Sequence, residues 1–230
     1  MNWVVSFAKS SIGAKIIMGV TGAALVGFIL AHMLGNLQVF LGPDALNQYA
    51  KNLKDLGGLL WLARGGLIAV AILHIASGIR LAKLNRDARP VAYAHKATVK
   101  ASFASRYMGL SGLVVLAFLV YHLLHFTLGV THPDQHSMVD NMQRHDVYSM
   151  VILGFRDPAV ALSYIIAICL LGLHLNHGAS SLFQSLGLKH SKYNDFIAKI
   201  GPLVAIIVVV GNISMPIAVL CRWVGAEIGG

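Results

Sequence analysis

The sequence predicts an all-α membrane protein, a single domain (1–230) folded as a bundle of five transmembrane helices. Of its 230 residues, 57% are hydrophobic and only 12% are charged, whereas about a quarter of an average soluble domain is charged. The mean hydropathy is +0.70, and a soluble core of this size could not hide so much apolar surface. The composition therefore excludes an ordinary soluble enzyme and a disordered chain.

Five apolar segments give the predicted helices. Each exceeds the ~20 residues that cross the hydrocarbon layer, and only helices or closed barrels satisfy the backbone in lipid. The first segment follows Lys9 and Lys15 and is too long for the apolar region of a cleavable signal. The segments are 17–41, 59–83, 106–130, 158–182 and 198–221.

Basic residues orient the predicted bundle. With a cytoplasmic N-terminus, twelve of the 18 Lys and Arg residues lie inside, as the positive-inside rule prefers. The inner set is Lys9, Lys15, Arg80, Lys83, Arg86, Arg89, Lys96, Lys100, Arg106, Lys189, Lys192 and Lys199. The net charge of +9 is thus mostly a topology signal, and no nucleic-acid partner is expected. The basic inner connections can also contact anionic lipid or a partner subunit.

The two cysteines, Cys169 and Cys221, form neither a C-x-x-C nor a C-x-x-C-H motif. This spacing disfavours a disulfide scaffold, a thiolate zinc site and covalent haem attachment.

Six of the 11 histidines lie inside the predicted helices. Ionisable groups inside a membrane are costly and tend to mark function, and neutral imidazole is a good ligand for iron. Helical bundles commonly hold a cofactor between facing helices. The six are His32, His74, His122, His125, His174 and His177.

Their depths group four of these histidines into two layers. His32 and His122 lie 15 and 16 residues from the predicted inner ends of their segments. His74 and His174 lie 15 and 16 residues from the outer ends. At 1.5 Å per residue, the two layers are roughly 12 Å apart. Two stacked b-type haems with two histidine ligands each fit this arrangement, and such irons suit electron transfer because no position is open for oxygen.

Small residues near these histidines favour a bulky planar cofactor. Asn36, Gly78 and Gly178 follow His32, His74 and His174 by one turn, which places them on the same helix face. Further small positions are Gly22, Gly35, Gly109 and Gly112. Ordinary small-residue packing between membrane helices explains the same pattern, so the glycines alone do not decide.

Several short motifs, taken in order, resemble the b558-type succinate dehydrogenase cytochrome b subunits. These are the dihaem membrane anchors of succinate:quinone oxidoreductases and quinol:fumarate reductases. The resemblance covers nearly the whole chain and all five helices. The motifs are SSIGAK (10–15), TG (21–22), HMLGN (32–36), HIASG (74–78), SR (105–106), SG (111–112), YHLLHF (121–126), HLNHG (174–178) and FQSLG (183–187).

The resemblance implies the iron ligands. His32 and His122 would hold an outer haem, and His74 and His174 an inner one; we call them the outer pair and the inner pair. His122, which follows Gly112 by ten residues, is chosen over His125 because of the resemblance. His174 is chosen over His177 because Gly178 follows it by four residues. The implied candidates for hydrogen bonds to haem propionates or quinone are His125, His177, Arg106 and Ser111.

The resemblance also implies function and partners. A flavoprotein and an iron–sulfur subunit on the cytoplasmic face of a bacterial inner membrane would pass electrons from succinate through two haem b groups to quinone, more often menaquinone than ubiquinone. This chain shows no flavin motif and no iron–sulfur cysteines, so it would not oxidise succinate alone. Some fumarate-reducing relatives carry a proton-conducting glutamate two residues before the fourth-helix ligand; Gly172 stands there in this chain.

Topology predicts where the soluble subunits bind. The connection 84–105 is the largest on the predicted inner face, and its charges can orient an acidic partner. We expect the iron–sulfur subunit to dock there and against 187–199. The charges concerned are Arg86, Arg89, Lys96 and Lys100.

Three alternatives remain at this point. The same arrangement of haems and subunits would serve a quinol:fumarate reductase, in which electrons flow in the reverse direction, from quinol to fumarate. A dihaem cytochrome could also anchor another dehydrogenase, such as a hydrogenase or formate dehydrogenase, which the residues resemble less well. A haem-free transporter or metal channel could use the pairs His122/His125 and His174/His177, but such a path needs polar or acidic lining that the helices barely supply.

Overall fold

A computed structural model describes residues 3–88, 106–188 and 190–228. Over these residues the chain is helical, and the only β-type pairing described is an isolated bridge between Val139 and His145. Five of the described helices are long and apolar enough to cross a membrane. The prediction of an all-α, multi-pass membrane protein is therefore confirmed at this level.

The five spanning helices follow the predicted segments but differ at their ends. Helix α2 (Ser11–Asn36) begins six residues before the predicted 17 and continues as a 3-10 turn (Leu37–Leu41). Its start is fixed because the Ser10 side chain accepts a hydrogen bond from the Gly13 N–H. The others are α4 (Gly58–Asp87), α5 (Met108–His122) with a π-helical turn (Leu123–Thr127), α8 (Pro158–Ser185), and α9 (Asn194–Leu220) after a 3-10 turn (Ser191–Tyr193).

Four shorter helices lie outside these spans: α1 (Trp3–Lys9), α3 (Pro43–Asp55), α6 (Pro133–His136) and α7 (Val147–Arg156). Helix α3 starts with proline at its first position, directly after Gly42, whose φ of 97° places it in a region that suits glycine. Helices α3, α6 and α7 lie at one end of the bundle, which we call the cap end.

Helix α8 is the centre of the bundle. It packs most extensively against α9 and also contacts α2 and α5, while α2 packs along α4. The contact with α9 is close at Gly172, where an added Cβ would overlap the Val209 side chain. A side chain at position 172 would therefore require Val209 to move.

A polar network holds the cap end together. The Arg144 side chain, 8% exposed, donates to Asp44, Gln48 and Asp140. Burial alone would raise the pKa of the Asp140 carboxyl, but the hydrogen bonds from Arg144, the Met142 N–H and the Asn47 side chain together outweigh it and lower the pKa to about 2. Asn47, 1% exposed, joins α3 to this network.

Candidate functional site

The structure places His74 of α4 opposite His174 of α8. Their ring centroids are 6.4 Å apart and the rings are inclined by 68°. Both residues are half-buried within spanning helices. The inner pair is thus two imidazoles on neighbouring helices, with their rings facing across a gap.

His32 of α2 and His122 of α5 form a second such contact. Their ring centroids are 5.8 Å apart, with an angle of 84° between the rings. His32 also stacks on Phe28, one turn earlier on α2, with centroids 5.4 Å apart. The outer pair is therefore brought together like the inner pair, on two other helices.

Both pairs have the spacing that one bridging metal atom requires. Two imidazoles that bind a metal from opposite sides, each with a metal–nitrogen distance of about 2 Å, have ring centroids roughly 6 Å apart. Within the described part of the chain, no three His, Cys, Asp or Glu residues form a group that could hold a bare metal ion. Two protein ligands are what a haem iron needs, because the porphyrin supplies the other four.

Two dipeptides, each a hydroxyl residue followed by glycine, contact the inner pair: Thr21-Gly22 on α2 and Ser111-Gly112 on α5. The Thr21 Oγ1 lies 3.3 Å from His74 Nδ1, and the Ser111 Oγ lies 3.2 Å from His174 Nδ1. A Cβ at the following glycine, Gly22 or Gly112, would lie 3.3 or 3.5 Å from Cε1 of the same ring. In both dipeptides the hydroxyl contacts the ring nitrogen and the glycine makes room for the ring.

These hydroxyls also determine which ring nitrogen carries the proton. Thr21 Oγ1 bonds the Ile17 carbonyl at 2.6 Å, and Ser111 Oγ bonds the Met108 carbonyl at 3.1 Å. Each hydroxyl has a single proton, which it donates to its carbonyl, so its oxygen accepts from the histidine. Nδ1 of each inner-pair histidine is then the N–H donor, and Nε2 keeps the lone pair that a metal requires.

The two dipeptides also set the depth of one pair relative to the other. Thr21 precedes His32 by eleven residues, and Ser111 precedes His122 by eleven. Since Thr21 and Ser111 contact the inner pair, the outer pair lies about 16 Å farther along α2 and α5. This separation is somewhat larger than the roughly 12 Å expected from the predicted segment ends.

The outer-pair histidines have different polar partners. The Asn36 Nδ2 lies 3.1 Å from His32 Nε2, so this nitrogen faces Asn36 in the structure. Metal binding through His32 Nε2 would require the ring to turn away from Asn36. His122 Nδ1 lies 3.5 Å from the Tyr164 hydroxyl, which leaves its Nε2 free of that contact.

The remaining predicted candidates lie in different surroundings. Ser111 contacts His174 and supports the inner pair. His125 is 2% exposed and contacts the Tyr164 hydroxyl. His177 lines a cavity of about 380 Å³ with Ser180, Gln184 and Asn194, between α8 and α9. Arg106 is exposed at the start of the third span.

Tyr164 is a residue of the site that the sequence motifs do not predict. It lies on α8 and is 3% exposed, and a buried hydroxyl in an apolar span is a signal that could have drawn attention to it. Comparisons with protein-family models, with curated proteins and with solved structures gave no match.

Proposed function

We propose that this chain is the dihaem cytochrome b membrane anchor of a succinate dehydrogenase. One observation carries the proposal: two opposed histidine pairs lie at two depths of one bundle, each at the spacing that a bridging iron requires. The hydroxyl contacts that leave Nε2 of the inner pair free for a metal support it further. The membrane-spanning helices supply an apolar setting for a porphyrin.

The residues then have distinct roles in electron transfer. His74 and His174 would hold the haem nearer the iron–sulfur subunit, and His32 and His122 would hold the one farther from it. Haem supplies one-electron chemistry when bound, and the histidine ligands tune its potential. Electrons would leave to a membrane quinone, for which we propose menaquinone. A flavoprotein subunit would carry out the oxidation of succinate.

We place the soluble subunits on the cytoplasmic face, against the connection after α4. Arg86, near the end of α4, has a side chain that is 80% exposed and lies 3.9 Å from Asp87. The other charges predicted to contribute, Arg89, Lys96 and Lys100, lie outside the described residues, as does Lys189 in the connection 187–199. A positive face here would orient an acidic partner near the inner pair.

Haem content tests the proposal. The purified full chain should hold two b haems that acid acetone releases, since no C-x-x-C-H motif is present to attach them covalently. A pyridine haemochrome assay should therefore give two b haems per chain. A value well below two would overturn the dihaem proposal. Co-purification with hydrogenase or formate dehydrogenase subunits, instead of a flavoprotein and an iron–sulfur subunit, would overturn the assignment to succinate dehydrogenase.

Removing the hydroxyls beside the inner pair should weaken that haem site. Ser111→Ala and Thr21→Val delete the acceptors for the His174 and His74 Nδ1 protons. Such outer partners commonly change metal affinity by 10–100-fold, so we expect the inner haem to be held about tenfold less tightly. The measurement is haem transfer to an excess of a competing apo-protein.

Two variants control this experiment. Thr21→Ser keeps a hydroxyl at position 21 and should behave like the wild type. Ser163→Ala deletes a hydroxyl on α8 that bonds the Val160 carbonyl, as Ser111 bonds that of Met108. Equal haem loss from Ser111→Ala and Ser163→Ala would show that the contact with His174 does not hold the haem.

A further inference from the structure

Tyr164 occupies an aromatic cluster at the cap-end half of the bundle. Its ring centroid lies 5.0 Å from those of Phe118 and Phe155, 5.6 Å from that of Phe126, and 5.8 Å from that of Tyr121. In these surroundings its hydroxyl lies 3.0 Å from His125 Nδ1 and 3.5 Å from His122 Nδ1. One buried hydroxyl is thus shared by the two histidines of the YHLLHF motif.

We propose that Tyr164 and His125 are positioning residues that orient His122 through a chain of hydrogen bonds. This inference rests on the proposed function, because it takes Nε2 of His122 as the iron ligand. The His122 Nδ1–H then donates to the Tyr164 hydroxyl oxygen. Tyr164 donates its own proton to His125 Nδ1, and His125 carries its proton on Nε2. Each proton of this series of hydrogen bonds is thus assigned to one atom.

The local backbone brings His125 to this position. It lies in the π-helical turn (Leu123–Thr127) that follows α5, closed by a hydrogen bond of 2.8 Å from the Leu128 N–H to the Leu123 carbonyl. The ring stacks on Phe126 with centroids 3.9 Å apart. On its other side, a Cβ at Gly154 of α7 would lie 3.1 Å from Nε2.

A purely structural role explains His125 poorly. The side chain is 2% exposed, and its Nε2 has no hydrogen-bond partner among the described residues. A buried polar atom without a partner is costly, and a phenylalanine would fill the same aromatic cluster without that cost. The contact of Nδ1 with Tyr164 is what an imidazole provides at this position and a phenylalanine does not.

The hydrogen bonds of His122, Tyr164 and His125 would change the reduction potential of the outer haem and not that of the inner haem. A hydrogen bond from the Nδ1–H of an axial histidine orients the ring and raises its basicity as a ligand. A more basic ligand favours the oxidised iron. Without the Tyr164 hydroxyl, the outer haem should therefore become easier to reduce. The inner haem, held by His74 and His174, should not change.

The test is Tyr164→Phe in the purified full-length protein, which removes the hydroxyl and keeps the ring. Potentiometric titration should show the outer haem shifted about tenfold toward its reduced form, 59 mV for a one-electron couple. Tyr148→Phe is the matched control, because Tyr148 is also 3% exposed and its hydroxyl bonds Glu227 at 3.3 Å. It should leave both haems unchanged.

Two substitutions at His125 test the same series of hydrogen bonds independently, even if the Tyr164→Phe protein fails to assemble. His125→Asn keeps an acceptor near the Nδ1 position and should retain the wild-type potential. His125→Leu removes that acceptor and should shift the outer haem in the same direction as Tyr164→Phe but by less, because the Tyr164 oxygen still accepts from His122. An unchanged outer haem in both Tyr164→Phe and His125→Leu, or equal shifts in both haems, would overturn the inference. A wild-type protein without two haems would instead overturn the proposed function.

Discussion

Alanine at His32 or at His122 should remove the outer haem and leave the inner one in place. Alanine at His74 or His174 should remove the inner haem and uncouple succinate oxidation from quinone reduction. The two members of a pair should give the same result, because a haem that loses one axial ligand is left five-coordinate or is lost. Haem content and a redox titration of each purified variant measure this.

A matched control is His177→Ala, which removes an intramembrane imidazole one turn after His174. His177 lines the cavity with Ser180 and Gln184, and its loss leaves the inner and outer pairs complete, so both haems should remain even where the contact of His177 with a propionate or quinone is lost. Loss of a haem in His125→Ala, with both haems kept in His122→Ala, would show that the third-helix ligand is misassigned. Loss of both haems in all four single variants, with the bundle intact, would contradict two independent sites.

The five spans could be predicted from sequence because hydropathy over about 20 residues depends on no tertiary contact. Their ends could not. Helix α2 starts at Ser11 because Ser10 caps it, and it ends in a 3-10 turn before Gly42, both of which are local hydrogen-bonding details. Helix α3 was missed because it is short and polar and does not span the membrane.

The candidate site could also be predicted from the sequence only in part. Counting residues along each span groups His32 with His122 and His74 with His174, and the structure brings these same residues together. The count could not supply the rotation of each helix about its axis. Tyr164 faces His122 and His125 only because α8 is rotated that way and because a π turn repositions His125. A pattern of apolar residues contains neither fact.

The cap end matters to the outer pair because α3 packs against α2 close to His32. The Tyr49 ring of α3 lies so close to Gly35, one turn after His32, that a Cβ there would overlap it. Tyr49, Phe126 and Phe118 all pack against the hydrophobic cluster that contains Tyr164. Opening α3 away from the bundle would therefore expose the region around His32 and His122 to water.

Asn47→Ala should open this cap about 100-fold more often. The buried amide donates to Asp140 at 3.2 Å and to Asp146 at 3.0 Å, and its oxygen accepts from the Tyr148 N–H at 2.9 Å. Leaving these groups without their partner should cost about 3 kcal/mol of local stability, and each 1.36 kcal/mol is a factor of ten. Hydrogen exchange of the α3 amides in detergent measures the opening directly.

The control is Asn52→Ala on the same helix, where the side chain is exposed and its oxygen accepts from Gln48 at 2.8 Å. It should change exchange by less than threefold, because water replaces an exposed hydrogen bond at little cost. Equal protection of α3 in the two variants would show that Asn47 does not hold the cap closed. If it does, Asn47→Ala should also make the outer haem more accessible to a water-soluble reductant than the inner haem. The reason is that Tyr49 of α3 packs at Gly35, one turn after His32, whereas the inner pair lies about 16 Å farther along α2.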